Sequence, residues 1–382
     1  MASWHWLTQA RYSWSFVGRV TLKTAGLFVL FNPLYALLNP SLAGISVYGR
    51  LVPYRERLPY ADRPERAYNL SLNDLEVMLA SHAIQTPKAT DEYRVVLIGD
   101  SATWGVLLRP QESYSGVLNR LQVQAEGRRI VAYNLAYPQQ SLSKDVLFLQ
   151  EALRYAPDAI VWLTTLEAFS PDAQYDPLIV RHNPQRLRQA LGEALAERYD
   201  TLPNAPRLTQ FSPWDATLIG ERRALADALR LQIYGLAWAN TGIDQDYPSQ
   251  YPLRSNDFDP IDFGGDLRTW RGQDALPLRL AWEVLDAGYA LAERANVPIL
   301  LVNEPIFIAD GLNSEQRYNF WYPRWAYDAY RQALAEWAQQ RSVEWLDLWN
   351  AVAPEAFTDS PVHLNPAGAQ QVAEALAQAL QR

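Results

Sequence analysis

The chain has 382 residues, 49% hydrophobic and 20% charged, which is enough apolar material for a full core and excludes a disordered or low-complexity polymer. With 34 Lys and Arg against 42 Asp and Glu, the formal charge of -8 argues against capture of phosphate backbones, so nucleic acid is not an expected partner. The absence of cysteine rules out disulfides, thiolate nucleophiles and Cys-ligated metal centres, and only four histidines are left to consider as bases.

A tail, residues 1–23, leads into residues 24–49, where no charged residue occurs between Lys23 and Arg50. That stretch is long enough to cross a hydrocarbon layer, which takes about 20 residues. Its dense apolar part, Ala25 to Leu38, is shorter and carries Asn32 and Pro33, with Asn39 and Pro40 just beyond, so an interfacial or re-entrant helix is the alternative to a span. A cleaved secretory signal fits less well, because the apolar run begins late and no small-x-small site follows it at once. A membrane anchor is therefore expected. Its orientation is not set by charge, since Arg11, Arg19 and Lys23 on one side face Arg50, Arg55, Arg57, Arg63 and Arg66 on the other. Residues 50–90 read as a connector with Pro53, Pro59, Pro64 and one short helical pattern, LSLNDLEVMLASHAI, packed on the globular part.

Residues 91–382 follow an α/β rhythm. RVVLIGDS, RRIVAYNLA, DAIVWLTT, PILLVNEP and VEWLDLW are short apolar runs of buried-strand type. Helical stretches lie between them: ESYSGVLNRLQVQA, SKDVLFLQEALRYA and RWAYDAYRQALAEWAQQ. Helices between successive buried strands predict a three-layer αβα sandwich around a mostly parallel sheet. Between the third and fourth strands, at about residues 175–290, lies an insertion with helical patterns, including LPLRLAWEVLDAGYALAERA, read as a helical cap. Its aspartates Asp244, Asp246, Asp257, Asp259, Asp262 and Asp266 lack the spacing of a calcium loop and read as a solvated acidic stretch; neither a metal nor a cofactor is assigned. The aromatic run Tyr318 to Trp325 reads as core, with sugar stacking or membrane contact as the alternative, and Glu304 either faces the site or closes an ion pair.

Two places carry chemistry. Gly99-Asp100-Ser101 directly follows the first strand, and a serine in such a strand-to-helix turn sits at the sheet edge with backbone amides beside it. The plainer reading is a turn that only caps the next helix. Near the other end, His363 lies in a loop after the last strand with Asp359 close by, a setting in which a carboxylate orients an imidazole. His5, His82 and His182 fall in the tail, connector and insertion and lack such a neighbour.

Together these two pieces resemble the SGNH (GDSL-type) hydrolase superfamily over residues 93–382, with GDS on the first strand and His in an HLNPAG context before the last helix. The resemblance implies a flavodoxin-like layering, Ser101 as acyl-accepting nucleophile, His363 as its base and Asp359 as the group that orients the imidazole. Three departures bear on the site. Ser360 stands where the family has the Asp of Asp-x-x-His, leaving Asp359 one residue further off, within reach if the loop bulges at Pro361; otherwise a carboxylate from elsewhere serves or the site is a dyad. Gln139 stands at the oxyanion-hole glycine. Thr164-Thr165-Leu166-Glu167 replaces Gly-x-Asn-Asp, which removes an oxyanion donor worth about 2.7 to 4 kcal/mol unless the Thr165 hydroxyl replaces it or the hole rests on backbone amides. Asp100, beside the nucleophile, completes the expected set.

The resemblance extends to anchored proteins that act beside membrane-bound O-acyltransferases. It implies an ester hydrolase or acyltransferase for O-acyl groups of a carbohydrate or cell-envelope polymer, with an extracytoplasmic domain and a membrane-bound acyltransferase as partner. A non-catalytic binding subunit of a membrane complex is the alternative, motivated by the replaced Asn and the displaced Asp.

Overall fold

The computed structural model describes residues 12–61, 63–200, 212, 214–252 and 280–381. Helix α1 (Trp14–Leu38) comes first, capped by Ser13, which accepts from the Phe16 amide at 3.2 Å. It stops where Asn39 turns left-handed ahead of Pro40. The helix overlaps the expected segment 24–49 without coinciding with it: it starts at Trp14 and carries Arg19 and Lys23 exposed, and residues 42–45 form a separate 3-10 turn. Hydrogen bonding, not absence of charge, sets both ends. At 25 residues α1 is about 37 Å long, enough to cross a hydrocarbon core of about 30 Å, and only Asn32 and Tyr35 of its side chains are buried.

The connector is part of the core. Leu58, Met78 and Ile84 are fully buried, the short α2 (Leu75–Ala80) is capped by Asp74, and bridges pair Arg55 with His82 and Arg57 with Asn134. The sheet then builds through β1 (Glu92–Ile98), α3 (Ser101–Trp104), α4 (Tyr114–Leu121), β2 (Gln124–Ala125), β3 (Arg128–Asn134), α5 (Leu142–Ala152) and β4 (Ala159–Thr164). The insertion supplies α6 (Leu178–Arg181), α7 (Pro184–Leu191), α8 (Glu193–Asp200) and α9 (Arg222–Thr241). The chain closes with α10 (Trp282–Arg294), β5 (Ile299–Asn303), α11 (Arg324–Arg341), β6 (Glu344–Asp347) and α12 (Pro366–Leu380).

Strand order is β2-β3-β1-β4-β5-β6, all parallel except β2. β2 falls where the helical reading of QVQA stood: Gln122, at φ 53°, stops α4, and Glu126 and Gly127, both at positive φ, turn the chain back into a hairpin with β3. The period-2 rule divides each strand between two cores. Val95, Leu97, Val161, Leu163, Leu300 and Val302 face α4 and α12, whereas Val96, Ile98, Ile160, Trp162, Ile299 and Leu301 face α5, α10 and α11. The result is a three-layer αβα sandwich. Helix α10, whose pattern read as part of the cap, belongs to this sandwich: Val284 and Leu285 enter the core, and Gly288 lies directly against Trp162 of β4.

Candidate active site

The strand order reverses direction around β1, with β3 added on one side and β4 on the other. In open α/β sheets the crevice outside the strand C-termini at such a point is where ligands bind. Gly99-Asp100-Ser101 occupies that position. Asp100 is buried and accepts a hydrogen bond from the Ala102 amide at 2.9 Å, so its carboxylate caps the turn. Gly105 ends the turn at φ 92°, and a Cβ there would come 3.1 Å from Ser113 Cβ, so both backbone and space require glycine.

The partner histidine arrives from the far edge of the sheet. After β6 the chain recrosses the strand ends, with Leu348 N–H donating to Asn303 O and Phe307 N–H to Pro361 O, before α12 packs alongside α4. Residues 358–363 form a loop closed by Thr358 N–H donating to His363 O at 2.9 Å, beside the Phe357 to Leu364 bridge. Across its mouth, His363 Nδ1 lies 2.9 Å from Asp359 Oδ1, and His363 Nε2 lies 2.8 Å from Ser101 Oγ. The extra residue in Asp359-Ser360-Pro361-Val362-His363 is absorbed by the closed loop, so the displaced Asp makes its contact. Burial pushes the Asp359 carboxyl up, but its bond from His363, the histidine's field and a bond from Thr358 outweigh this and hold it below the usual carboxylate range. Asp359 remains half exposed, while Ser101 and His363 are half-buried.

The other expected residues are placed differently. Gln139 is exposed and adopts φ 116°, a backbone conformation that favours glycine. Thr165 is fully buried, with its hydroxyl donating to Tyr322 Oη at 3.2 Å, so that side chain is committed to the core. Tyr318 and Tyr322 of the aromatic run are buried as well. Among the described residues Glu304 closes no ion pair: it is fully buried and accepts from Thr103 Oγ1 at 2.6 Å. Burial first, and then the neighbouring Asp100, push its carboxyl well above the usual range.

Two supports escaped sequence reasoning. Lys144, fully buried in the first turn of α5, donates to Gly99 O at 2.6 Å and to Tyr137 O at 3.0 Å, so one ammonium ties the Ser101 turn to the loop bearing Gln139. Arg57 donates to Gly105 O and Leu108 O, both at 2.9 Å, and forms a buried ion pair with Asp244, which joins connector, serine turn and insertion. Neither carries a sequence sign, since Lys144 stands between Ser143 and Asp145 and Arg57 follows Arg55 and Glu56. Asp244 is buried rather than solvated, whereas Asp246, half exposed, pairs with exposed Arg66 at the surface; Asp257, Asp259, Asp262 and Asp266 lie outside the described residues. Among the described residues no cluster of three or more His, Asp or Glu is arranged to hold a metal. A cavity of about 270 Å³ opens beside Asp359, walled by Tyr60, Trp104, Val106, Leu107 and Gln245.

No family model matches the chain, and no curated protein does. Solved structures similar to it include a GDSL-like lipase from Bacteroides thetaiotaomicron (10% identity, TM-score 0.36, covering 78% of this chain and 92% of that one). An aryl esterase from M. smegmatis matches at 11% identity and TM-score 0.34, covering 75% and 96%. A carbohydrate acetylesterase from Sinorhizobium meliloti matches at 11% and 0.32, covering 75% and 97%. Each is a likeness at low identity and low structural overlap, and the chemistry of this chain rests on its own side chains.

Proposed function

We propose that this chain is a serine ester hydrolase or acyltransferase of SGNH type, tethered to a membrane by α1 and working through an acyl-enzyme at Ser101. The observation that carries this reading is the continuous relay from Ser101 Oγ through the His363 ring to Asp359, at 2.8 and 2.9 Å. An unaided serine hydroxyl is a weak nucleophile. As Oγ bonds to the ester carbonyl carbon, its proton passes to His363 Nε2, and ionised Asp359 stabilises the imidazolium through Nδ1. Collapse breaks the bond to the alcohol oxygen, which leaves with the proton from Nε2. Water, or a second hydroxyl in the transferase variant, then gives its proton to Nε2 and attacks the acyl carbon; the bond from that carbon to Ser101 Oγ breaks, and Oγ takes the proton back from Nε2. With Thr165 buried, we assign the oxyanion to the backbone amides of Ser101 and Gln139.

The substrate class we propose is an O-acyl group on a carbohydrate or cell-envelope polymer. The half-exposed site supports a bulky acyl carrier, and the cavity beside Asp359, which Arg63, Gln245 and Asp246 line together with Tyr60, supports a hydroxyl-rich one. A membrane-bound acyltransferase is the partner this reading entails, with the α/β body on the extracytoplasmic side. The test is fluorophosphonate labelling of the full chain. Labelling that disappears in Ser101→Ala, with ester turnover falling on the order of 10⁴-fold or more in that variant and in His363→Ala, is expected. A folded chain that resists the probe would instead be a binding subunit.

A further inference from the structure

Helix α9 in the insertion carries an exposed apolar stripe that no described element covers. Ala228, Leu231 and Gly235 face inward, and Gly235 meets the Tyr48 ring. On the other side Leu229, Ile233 and Leu236 are 49%, 65% and 55% exposed, at the i, i+4, i+7 spacing that aligns side chains along one helix face. Arg222 stands at the start of that face, and Arg223 and Arg230 flank one edge, Arg230 paired with Asp227 at 3.0 Å; all three arginines are exposed. An apolar stripe bordered by basic side chains is the pattern of a helix lying in the headgroup region of a bilayer.

What covers the stripe is indicated by where α9 begins. Glu221, its N-cap, accepts from Tyr35 Oη at 2.9 Å, and the Ile219 amide donates to Asn32 Oδ1 at 3.2 Å. These are the two buried side chains of α1, so α9 is fastened to the last turns of the membrane-length helix. Beside this junction Trp214 is 74% and Ile219 46% exposed, and Leu34, Leu37 and Leu38 of α1 are exposed as well. Tryptophan at such a level is typical of the membrane–water interface.

We propose that α9 is a second, interfacial membrane contact: its Leu229–Ile233–Leu236 face lies in the outer part of an anionic leaflet, with Arg222, Arg223 and Arg230 on the headgroups. The proposal rests on the anchor reading of α1. The insertion, which read as a cap over the site, then acts as a collar that fixes the height of the Ser101 site above the bilayer.

The chain has no cysteine, so single labels are unambiguous. Ile233→Cys, Leu30→Cys in α1 and Gln378→Cys on exposed α12 are each labelled with a quenchable fluorophore in the full chain. They are then reconstituted into phosphatidylcholine–phosphatidylglycerol vesicles carrying brominated acyl chains. Loss of fluorescence at positions 30 and 233 but not at 378 is expected, and the loss at 233 shrinks in vesicles without the anionic lipid. Quenching at 30 alone overturns the collar and leaves the anchor standing, whether position 233 is open to aqueous iodide or shielded from it by protein. Quenching at neither position removes the anchor and the collar together.

Discussion

Gln139 holds φ 116°, a region L side chains rarely adopt, on the loop that Lys144 ties to the Ser101 turn. Such strain amounts to about 1–3 kcal/mol per residue. Replacing Gln139 by Gly relieves it and restores part of the cost as unfolded-state entropy, about 0.5–1 kcal/mol. The expected outcome for Gln139→Gly is a rise in stability of about 1 kcal/mol, read as a higher urea midpoint, with ester turnover retained because only the backbone amide serves the site. A variant that is less stable, or stable but inactive, would show the glutamine side chain to be in use. The position of Gln139 was legible from its place after the second strand, but its conformation was not, because φ is fixed by the loop's closure. Thr165 shows the converse. Its side chain has the chemistry of a donor, yet it lies buried just past the end of β4, and only burial reveals that its hydroxyl is taken by Tyr322.

The elements were legible where hydrophobic period and length agreed. All five apolar runs became parallel strands: β1, β4 and β5 are buried along their whole length, while β3 is partly exposed at its start and β6, at the sheet edge, is only partly buried. Boundaries and allegiance were less legible. Arg19 and Lys23 stay helical because their side chains face outward, and α10 joins the sandwich because it is the crossover helix that delivers β5 to the sheet beside β4. That allegiance has a sharp test at Gly288. A Cβ there would lie 2.5 Å from the Trp162 ring and 3.0 Å from Val146 Cγ2, so the helix approaches the strand as closely as a bare backbone permits. Gly288→Val forces α10 off β4, and overpacking of this kind costs about 1–3 kcal/mol. A lowered denaturation midpoint with a changed Trp162 emission is expected. An unchanged midpoint would mean that α10 moves freely and is no part of the core.

Over the whole molecule, the chemistry depends on parts that sequence reading kept separate. The motif order of GDS and His was legible because each lies on a recognisable strand or helix border; the supports were not, because Arg57 and Asp244 are 187 positions apart and meet only when the connector folds into the core. The connector can therefore be tested as a structural member through His82. Its Nδ1 accepts from the Ile84 amide at 3.0 Å and its Nε2 faces Glu56 O at 3.1 Å, which places the proton on Nε2. Burial drives its pKa down to about 4, more strongly than the carbonyl contacts raise it. The native state then binds fewer protons than the unfolded chain between that value and the ordinary imidazole value of about 6.5, so stability rises with pH across this window and is lost as pH falls through it. One such group contributes a loss of about 2 kcal/mol between about pH 7 and about pH 5. His82→Gln keeps a donor and an acceptor but cannot titrate. Urea unfolding of the parent chain at the two pH values is expected to show that loss, and the variant, less stable overall, to lack that part of the slope. Equal slopes in the two proteins would mean that His82 is solvated in the native state and that the connector does not fold into the core.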